Sequence, residues 1–252
     1  MPAPSTGFWF TDASIPTAEI VAKLGFDFVV LDVEHGMFDL AILERFVPVL
    51  KGMGLDVYAK VLGPAREPIQ QTLDFGCDGV IIPHIENAEH AAAVSAFAKF
   101  PPLGRRSLAG GRTTGWNPLT DEWIAAQDAN TRCFPLIEEA TAVDEIEQIA
   151  ALPTVDGIQI GPTDLSTSRG RGAYRRTPAD LEDFDKCINA FDHVGKPWIF
   201  PAWTPFEQEW ALSKQSPMIL LGMQYYVMLG ALTQARESFD VLEVQQRLEA
   251  TT

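Results

Sequence analysis

The sequence predicts a single α/β domain in which eight parallel strands close into a (β/α)8 barrel. Three observations carry that expectation. Apolar runs recur that stop abruptly on a polar residue, the pattern of buried parallel strands that deliver side chains at their carboxyl ends. The clearest is Phe28-Val29-Val30-Leu31-Asp32-Val33-Glu34-His35-Gly36. Several such runs follow a helical stretch that closes on Gly or Pro and then an Asp. Finally, eight strand signals in 252 residues match the usual barrel size of about 250 residues. A doubly wound sheet is the rival, disfavoured because no glycine-rich phosphate loop follows the first strand and because the strand count suits closure.

In chain order, Gly7 to Phe10 is the first expected strand, and Thr17 to Lys23 reads as a helix leading through Gly25 and Asp27 into the second, at Phe28. Val57 to Val61 is the third. Pro68 to Leu73 leads through Gly76 and Asp78 into the fourth, Gly79-Val80-Ile81-Ile82-Pro83-His84. Cys133 to Ile137 follows as the fifth. Val143 to Leu152, read as helix, passes Pro153 and Asp156 into the sixth, Gly157-Ile158-Gln159-Ile160-Gly161, with Pro162-Thr163-Asp164 beyond it. Pro197 to Pro201 and Met218 to Leu221 complete the set.

With 46% hydrophobic residues the chain can bury a large core, yet no apolar run approaches the roughly 20 residues needed to span a bilayer. The start, Met1-Pro2-Ala3-Pro4-Ser5-Thr6, lacks the basic residues and long apolar region of a secretory signal, so cytoplasmic residence is expected. A net charge of −15 with no compensating basic run argues against a nucleic-acid partner. Cys77, Cys133 and Cys187 have no metal-ligand or CxxC spacing and are expected to be reduced and structural.

Glu138 and Asp164 end consecutive expected strands, and neighbouring strands lie about 4.8 Å apart. Two carboxylates so placed repel unless a positive group joins them, and Mg²⁺ or Mn²⁺, with hard oxygen ligands, suits the pair. The competing reading makes each acid the cap of the helix that follows it. His35, beside Glu34, has two readings as well: a satisfied structural residue, or an imidazole exchanging protons near neutral pH. His84 stands at a comparable strand end, whereas His90 and His193 fall in helical or loop contexts and take no role.

Gly25 to His35, Pro101-Pro102-Leu103-Gly104-Arg105-Arg106 and Val155 to Ser166 resemble the HpcH/HpaI aldolase family, metal-dependent pyruvate aldolases on a TIM barrel, and the similarity runs from about Gly7 to Ala235. The resemblance implies a divalent ion (Mg²⁺, Mn²⁺ or Co²⁺) held by Glu138 and Asp164, and His35 in proton transfer with Asp74 associated with it. It further implies substrate contacts from Lys60, Arg106, Gly161, Pro162 and Thr163, with Arg106 near the substrate entrance and a neighbouring subunit. The implied reaction is reversible cleavage of a 4-hydroxy-2-oxo acid to pyruvate and an aldehyde through a metal-stabilised enolate. The partners implied are a keto acid, an aldehyde and further copies of the chain in a homo-hexamer, with Tyr225 to Leu232 as a segment for exchange between subunits.

Two positions depart from the family pattern. Lys60 stands where an arginine is usual, keeping the charge but losing the planar fork, and Leu136 stands where many members carry glutamine. Two alternatives to the aldolase remain, an oxaloacetate-type decarboxylase or related lyase and a weakly catalytic keto-acid-binding homologue. Lys60 could also form a Schiff base instead of acting as a point charge. Trp198, Trp203, Trp210, Tyr225 and Tyr226 either line an acceptor pocket or fill the barrel wall.

Overall fold

Each apolar run forms a strand, and the eight strands close into one barrel in the computed structural model, which describes residues 3–249. The strands are β1 (Ser5–Phe10), β2 (Phe28–Asp32), β3 (Asp56–Lys60), β4 (Gly79–Ile82), β5 (Arg132–Ile137), β6 (Ile158–Ile160), β7 (Trp198–Pro201) and β8 (Met218–Met223). Every pairing is parallel, each strand lies beside its sequence neighbours, and β8 returns to β1. The expected (β/α)8 barrel is therefore the observed fold.

The Asp that precedes several strands serves the strand before it in the sheet. Asp27 Oδ2 accepts the backbone N–H of Thr6 on β1, Asp78 Oδ2 that of Val57 on β3, and Asp156 Oδ2 that of Cys133 on β5. A carboxylate thus satisfies the backbone donor of the second residue of each of these strands, which would otherwise end unpaired. Asp78 also holds Lys51 at 2.7 Å and Asp156 holds the fully buried Lys99 at 2.8 Å.

Strand alternation sorts the apolar residues into two environments. Val29, Leu31, Val57, Ala59, Val80, Ile82, Ile158 and Ile160 face outward into the layer of helices. Phe28, Val30, Tyr58, Ile81, Phe134, Leu136, Ile199 and Leu220 face inward. At the amino-terminal end of the barrel Tyr58 meets Phe28 and Phe134 edge to face, with ring centroids 5.6 and 5.5 Å away. Glycines opposite make room for these rings: a Cβ on Gly7 would lie 2.3 Å from Phe28, and one on Gly157 would lie 2.4 Å from Phe134. Fully burying one such side chain contributes about 1.5–3 kcal/mol.

The helix expected from Val143 to Leu152 is two short helices, Ala140–Asp144 and Ile146–Ala150. The break falls at Glu145, whose carboxylate accepts the Ala88 N–H at the start of the helix Ala88–Ser95. The final helix, Gln224–Glu249, is anchored at its first residue, where Gln224 Oε1 accepts the N–H groups of Thr11 and Asp12. Beyond that anchor Tyr225, Tyr226, Val227, Met228, Leu229 and Leu232 are exposed, whereas Trp198 is fully buried and Trp210 packs on Phe184 and Phe200. The three cysteines are free and buried, and burial pushes the Cys187 thiol up to about 12. Among the described residues no helix is long and apolar enough to cross a membrane.

Candidate active site

The carboxyl ends of the strands carry polar residues where the amino-terminal end carries rings. The loop after β2 is shaped by Asp32, a buried carboxylate whose Oδ2 accepts the Trp9 indole N–H at 3.0 Å and whose Oδ1 accepts the His35 N–H at 3.1 Å. Gly36 lets the loop turn tightly, since a Cβ there would meet Asp32 O at 2.3 Å. The turn sends neighbouring residues opposite ways: the Glu34 side chain is 9% exposed and that of His35 is 65% exposed.

Glu34 is the hub of the rim. Its Oε2 lies 2.6 Å from Lys60 Nζ and 3.4 Å from His35 Nε2, and its Oε1 lies 2.6 Å from His84 Nε2. Burial pushes the Glu34 carboxyl up, but the hydrogen bond and charge of Lys60, helped by His35 and His84, outweigh burial and hold it below the usual range. Lys60 ends β3 in register with Asp32, which explains how it reaches this loop.

His84 joins Glu34 to Glu138. Its backbone lies in the left-handed region at φ +59°, uncommon for a residue with a side chain. That conformation directs its N–H to Glu138 Oε1 at 2.7 Å. Glu138 is 3% exposed, and burial raises its carboxyl above the usual range. The His84 N–H and Lys60 pull it back, and the charge of Asp164 adds to the rise. The close approach of β6 depends on Gly161, where a Cβ would stand 2.9 Å from Glu138 Cβ and 3.3 Å from its Oε2.

Glu138, Asp164, Lys60, Gly161, Pro162 and Thr163 line one cleft of about 100 Å³ at the carboxyl end of the barrel. Leu136, Gln159, Ile160, Trp9, Pro201, Trp203 and Met223 complete its walls. Trp203 thus lines the pocket and meets Trp9 edge to face at 6.5 Å, while Trp198 and Trp210 are core. The capping alternative for the two acids fails. Glu138 binds a loop N–H across the sheet, and Asp164 stands inside the first turn of the helix Pro162–Ser168, whose cap residue is Gly161. Among the described residues no group of three or more His, Cys, Asp or Glu side chains could hold a metal ion. A cation here would have the two carboxylates as its acidic ligands, leaving positions for water and ligand oxygens, a donor set that suits Mg²⁺.

Asp74 and His35 are not brought together within the chain. Asp74 Oδ1 accepts from Arg106 Nη2 at 2.8 Å, whereas the contacts of His35 are with Glu34 and Asp32. Arg106 is itself 2% exposed, stacks on Phe100 at 4.7 Å and does not line the cleft, because Asp74 and the ring hold it in the wall of the domain. Glu34, Asp32, Trp9 and Gln159 complete the rim or the cleft without having been singled out as site residues from the sequence. Asp32 and Glu34 left a signal as the polar residues that close the second apolar run, and Gln159 as a polar residue between two isoleucines of a buried strand, whereas Trp9 left none.

Comparison with known proteins agrees with this fold. The sequence profile described as HpcH/HpaI aldolase/citrate lyase matches residues 5–194. The chain is 35% identical over 165 residues to a 4-hydroxy-2-oxovalerate aldolase of Novosphingobium aromaticivorans, covering 65% of this chain but only 63% of that enzyme. It is 34% identical over 194 residues to a hydroxypyruvate/pyruvate aldolase of Roseobacter denitrificans, covering 75% of each. The crystal structure of an HpcH/HpaI aldolase from Desulfitobacterium hafniense superposes with a TM-score of 0.87 at 26% identity, over 94% of this chain and 92% of that one. With the profile spanning most of the chain and the barrel shared end to end, the protein belongs to the HpcH/HpaI aldolase/citrate lyase family.

Proposed function

We propose that the protein is a divalent-metal-dependent carbon–carbon lyase that cleaves a 4-hydroxy-2-oxo acid to pyruvate and an aldehyde and runs the aldol addition in reverse. Membership of a family of aldolases and lyases supports the reaction class, and relatives named as aldolases support the substrate class. The observation that carries the reading is Glu138 beside Asp164 on one cleft: a buried carboxyl raised by burial and by its acidic neighbour is short of positive charge. A divalent ion bound there would supply a Lewis acid that lowers the energy of the enolate left by C–C cleavage.

The chain's own residues do the rest. Lys60, fixed by Glu34, brings a cation to the cleft wall and offers it to the oxygens of the oxo acid. Gly161, Pro162 and Thr163 bound the space beside the two carboxylates where that acid sits. His35 takes the proton of the 4-hydroxyl as the C3–C4 bond breaks; the bond electrons go to the enolate, which becomes pyruvate when C3 is reprotonated. Asp74 and Arg106, paired to each other, reach a substrate or histidine only across a subunit contact. The exposed apolar residues of the helix Gln224–Glu249 support such a contact, with residues 1–252 as one barrel domain whose last segment exchanges between copies in a cytoplasmic hexamer.

The test is metal removal. Prolonged chelation should abolish cleavage, with Mg²⁺, Mn²⁺ or Co²⁺ restoring it. Undiminished turnover by protein shown by elemental analysis to be metal-free would overturn the reading.

A further inference from the structure

Lys60 shares its cleft with two carboxylates yet pairs with a third. Among the described residues its ammonium forms an ion pair only with Glu34, at 2.6 Å, although Glu138 and Asp164 line the same cleft and the charge of Lys60 is felt at Glu138. A lysine ammonium is a point charge on a flexible stem, so two crowded acids draw it toward them. What opposes that pull is Glu34, a nearly buried carboxylate that is itself fixed at its other oxygen by the ring of His84. An ionised carboxylate only accepts, so His84 Nε2 donates to Glu34 Oε1 across 2.6 Å. His84 reaches both acid groups through an uncommon backbone. At φ +59° its N–H meets Glu138 Oε1 at 2.7 Å while its ring lies on Glu34, with Nδ1 3.5 Å from Glu138 Oε1. Such a conformation is costly for a residue with a side chain and persists where contacts hold it, here contacts to two different acids.

We propose that His84 is a positioning residue that keeps the acid pair open to a divalent ion: it holds Glu34, and Glu34 holds the Lys60 ammonium off Glu138 and Asp164. Without the ring, the Glu34 side chain is free to turn, and the ammonium settles on the acid pair as an internal competitor of the ion. The role belongs to the imidazole, because the backbone N–H serves Glu138 whatever side chain position 84 carries. This rests on the metal reading of Glu138 and Asp164 given above.

The experiment is a double-mutant cycle on metal-stripped protein, read as Mn²⁺ affinity by electron paramagnetic resonance of the free ion, so that turnover plays no part. His84→Asn removes the imidazole while keeping a residue that tolerates the left-handed backbone. It should weaken Mn²⁺ binding roughly three- to tenfold, within the range of coupling between residues in contact. In a Lys60→Met background the same substitution should leave Mn²⁺ affinity within about twofold, because no ammonium remains to compete. Unchanged Mn²⁺ affinity in His84→Asn overturns the proposal. So does a loss that persists in the Lys60→Met background, since it would act through Glu138 and not through the lysine. Failure of the wild type to bind Mn²⁺ overturns the metal site, and this proposal with it.

Discussion

The two ends of the barrel use carboxylates in opposite ways. At the amino-terminal end Asp27, Asp78 and Asp156 each accept the backbone N–H of the second residue of a strand, and Asp78 and Asp156 each hold a lysine as well. At the carboxyl end Glu34, Glu138 and Asp164 crowd together, and Lys60 and the two histidines are shared among them. Spread acids matched to donors stabilise the fold. Crowded acids with too few donors leave a demand for positive charge that a ligand can meet.

The largest effect that tests this contrast is at the carboxyl end. His35→Ala should lower the cleavage rate by about 10²–10⁴-fold, as loss of a general base does, with an unchanged melting temperature for so exposed a side chain. Steady-state kinetics within a few-fold of wild type would return His35 to a structural role. The mirror experiment is Asp156→Ala, which leaves the buried Lys99 ammonium with only the carbonyls of Asp128 and Thr131. Breaking such a pair costs about 3–5 kcal/mol, so denaturant unfolding should show that loss while kcat at low temperature stays near wild type. A silent Asp156→Ala would mean that the lower rim is not where the aspartates stabilise the fold.

Lys60 tests the region where the two roles meet. Lys60→Ala should weaken pyruvate binding by about 1.5–3 kcal/mol, the range for a hydrogen bond to a charged group, and Lys60→Arg should retain affinity. Borohydride reduction with pyruvate should leave no adduct on Lys60; a stable adduct would replace the metal mechanism with a Schiff base.

The smallest effect belongs to Asp56, the lower-rim acid whose surroundings resemble the upper rim. Burial and the neighbouring charge of Asp78 raise its carboxyl above the usual value, with Lys51 partly offsetting them. Because the folded-state pKa lies above the unfolded one, the folded protein holds the proton more tightly, and the charged form is a stability penalty present above the folded pKa and relieved as pH falls through it. Asp56→Asn should therefore raise the melting temperature slightly at pH 7, with the gain fading in acid. A gain that grew on acidification would reverse the sign.

What the sequence revealed of these ends follows from how far each contact reaches. The strands were legible because burial on both faces writes continuous apolar runs into nine or fewer residues around Val30 or Ile81. Glu138 and Asp164 could be placed together because adjacent parallel strands share an end. The role of Asp156 was half visible, as a recurring residue without its partner, since Cys133 lies 23 positions away. Which of Glu34 and His35 turns inward was not visible, because the Trp9 indole on Asp32, also 23 positions distant, shapes that loop. The Asp74–Arg106 pair spans 32 positions and was hidden for the same reason.

The interlocked rings of Phe28, Tyr58 and Phe134 have a kinetic consequence. They stopper the barrel from below, so the cleft has one mouth, and whatever binds deepest must arrive first and depart last. Under the proposed reaction, with the oxo acid lodged against Glu138 and Asp164, aldol addition would have a compulsory order in which the oxo acid enters before the aldehyde. In the proposed cleavage the aldehyde would leave first, and pyruvate, released last, would compete with the incoming substrate for the free enzyme.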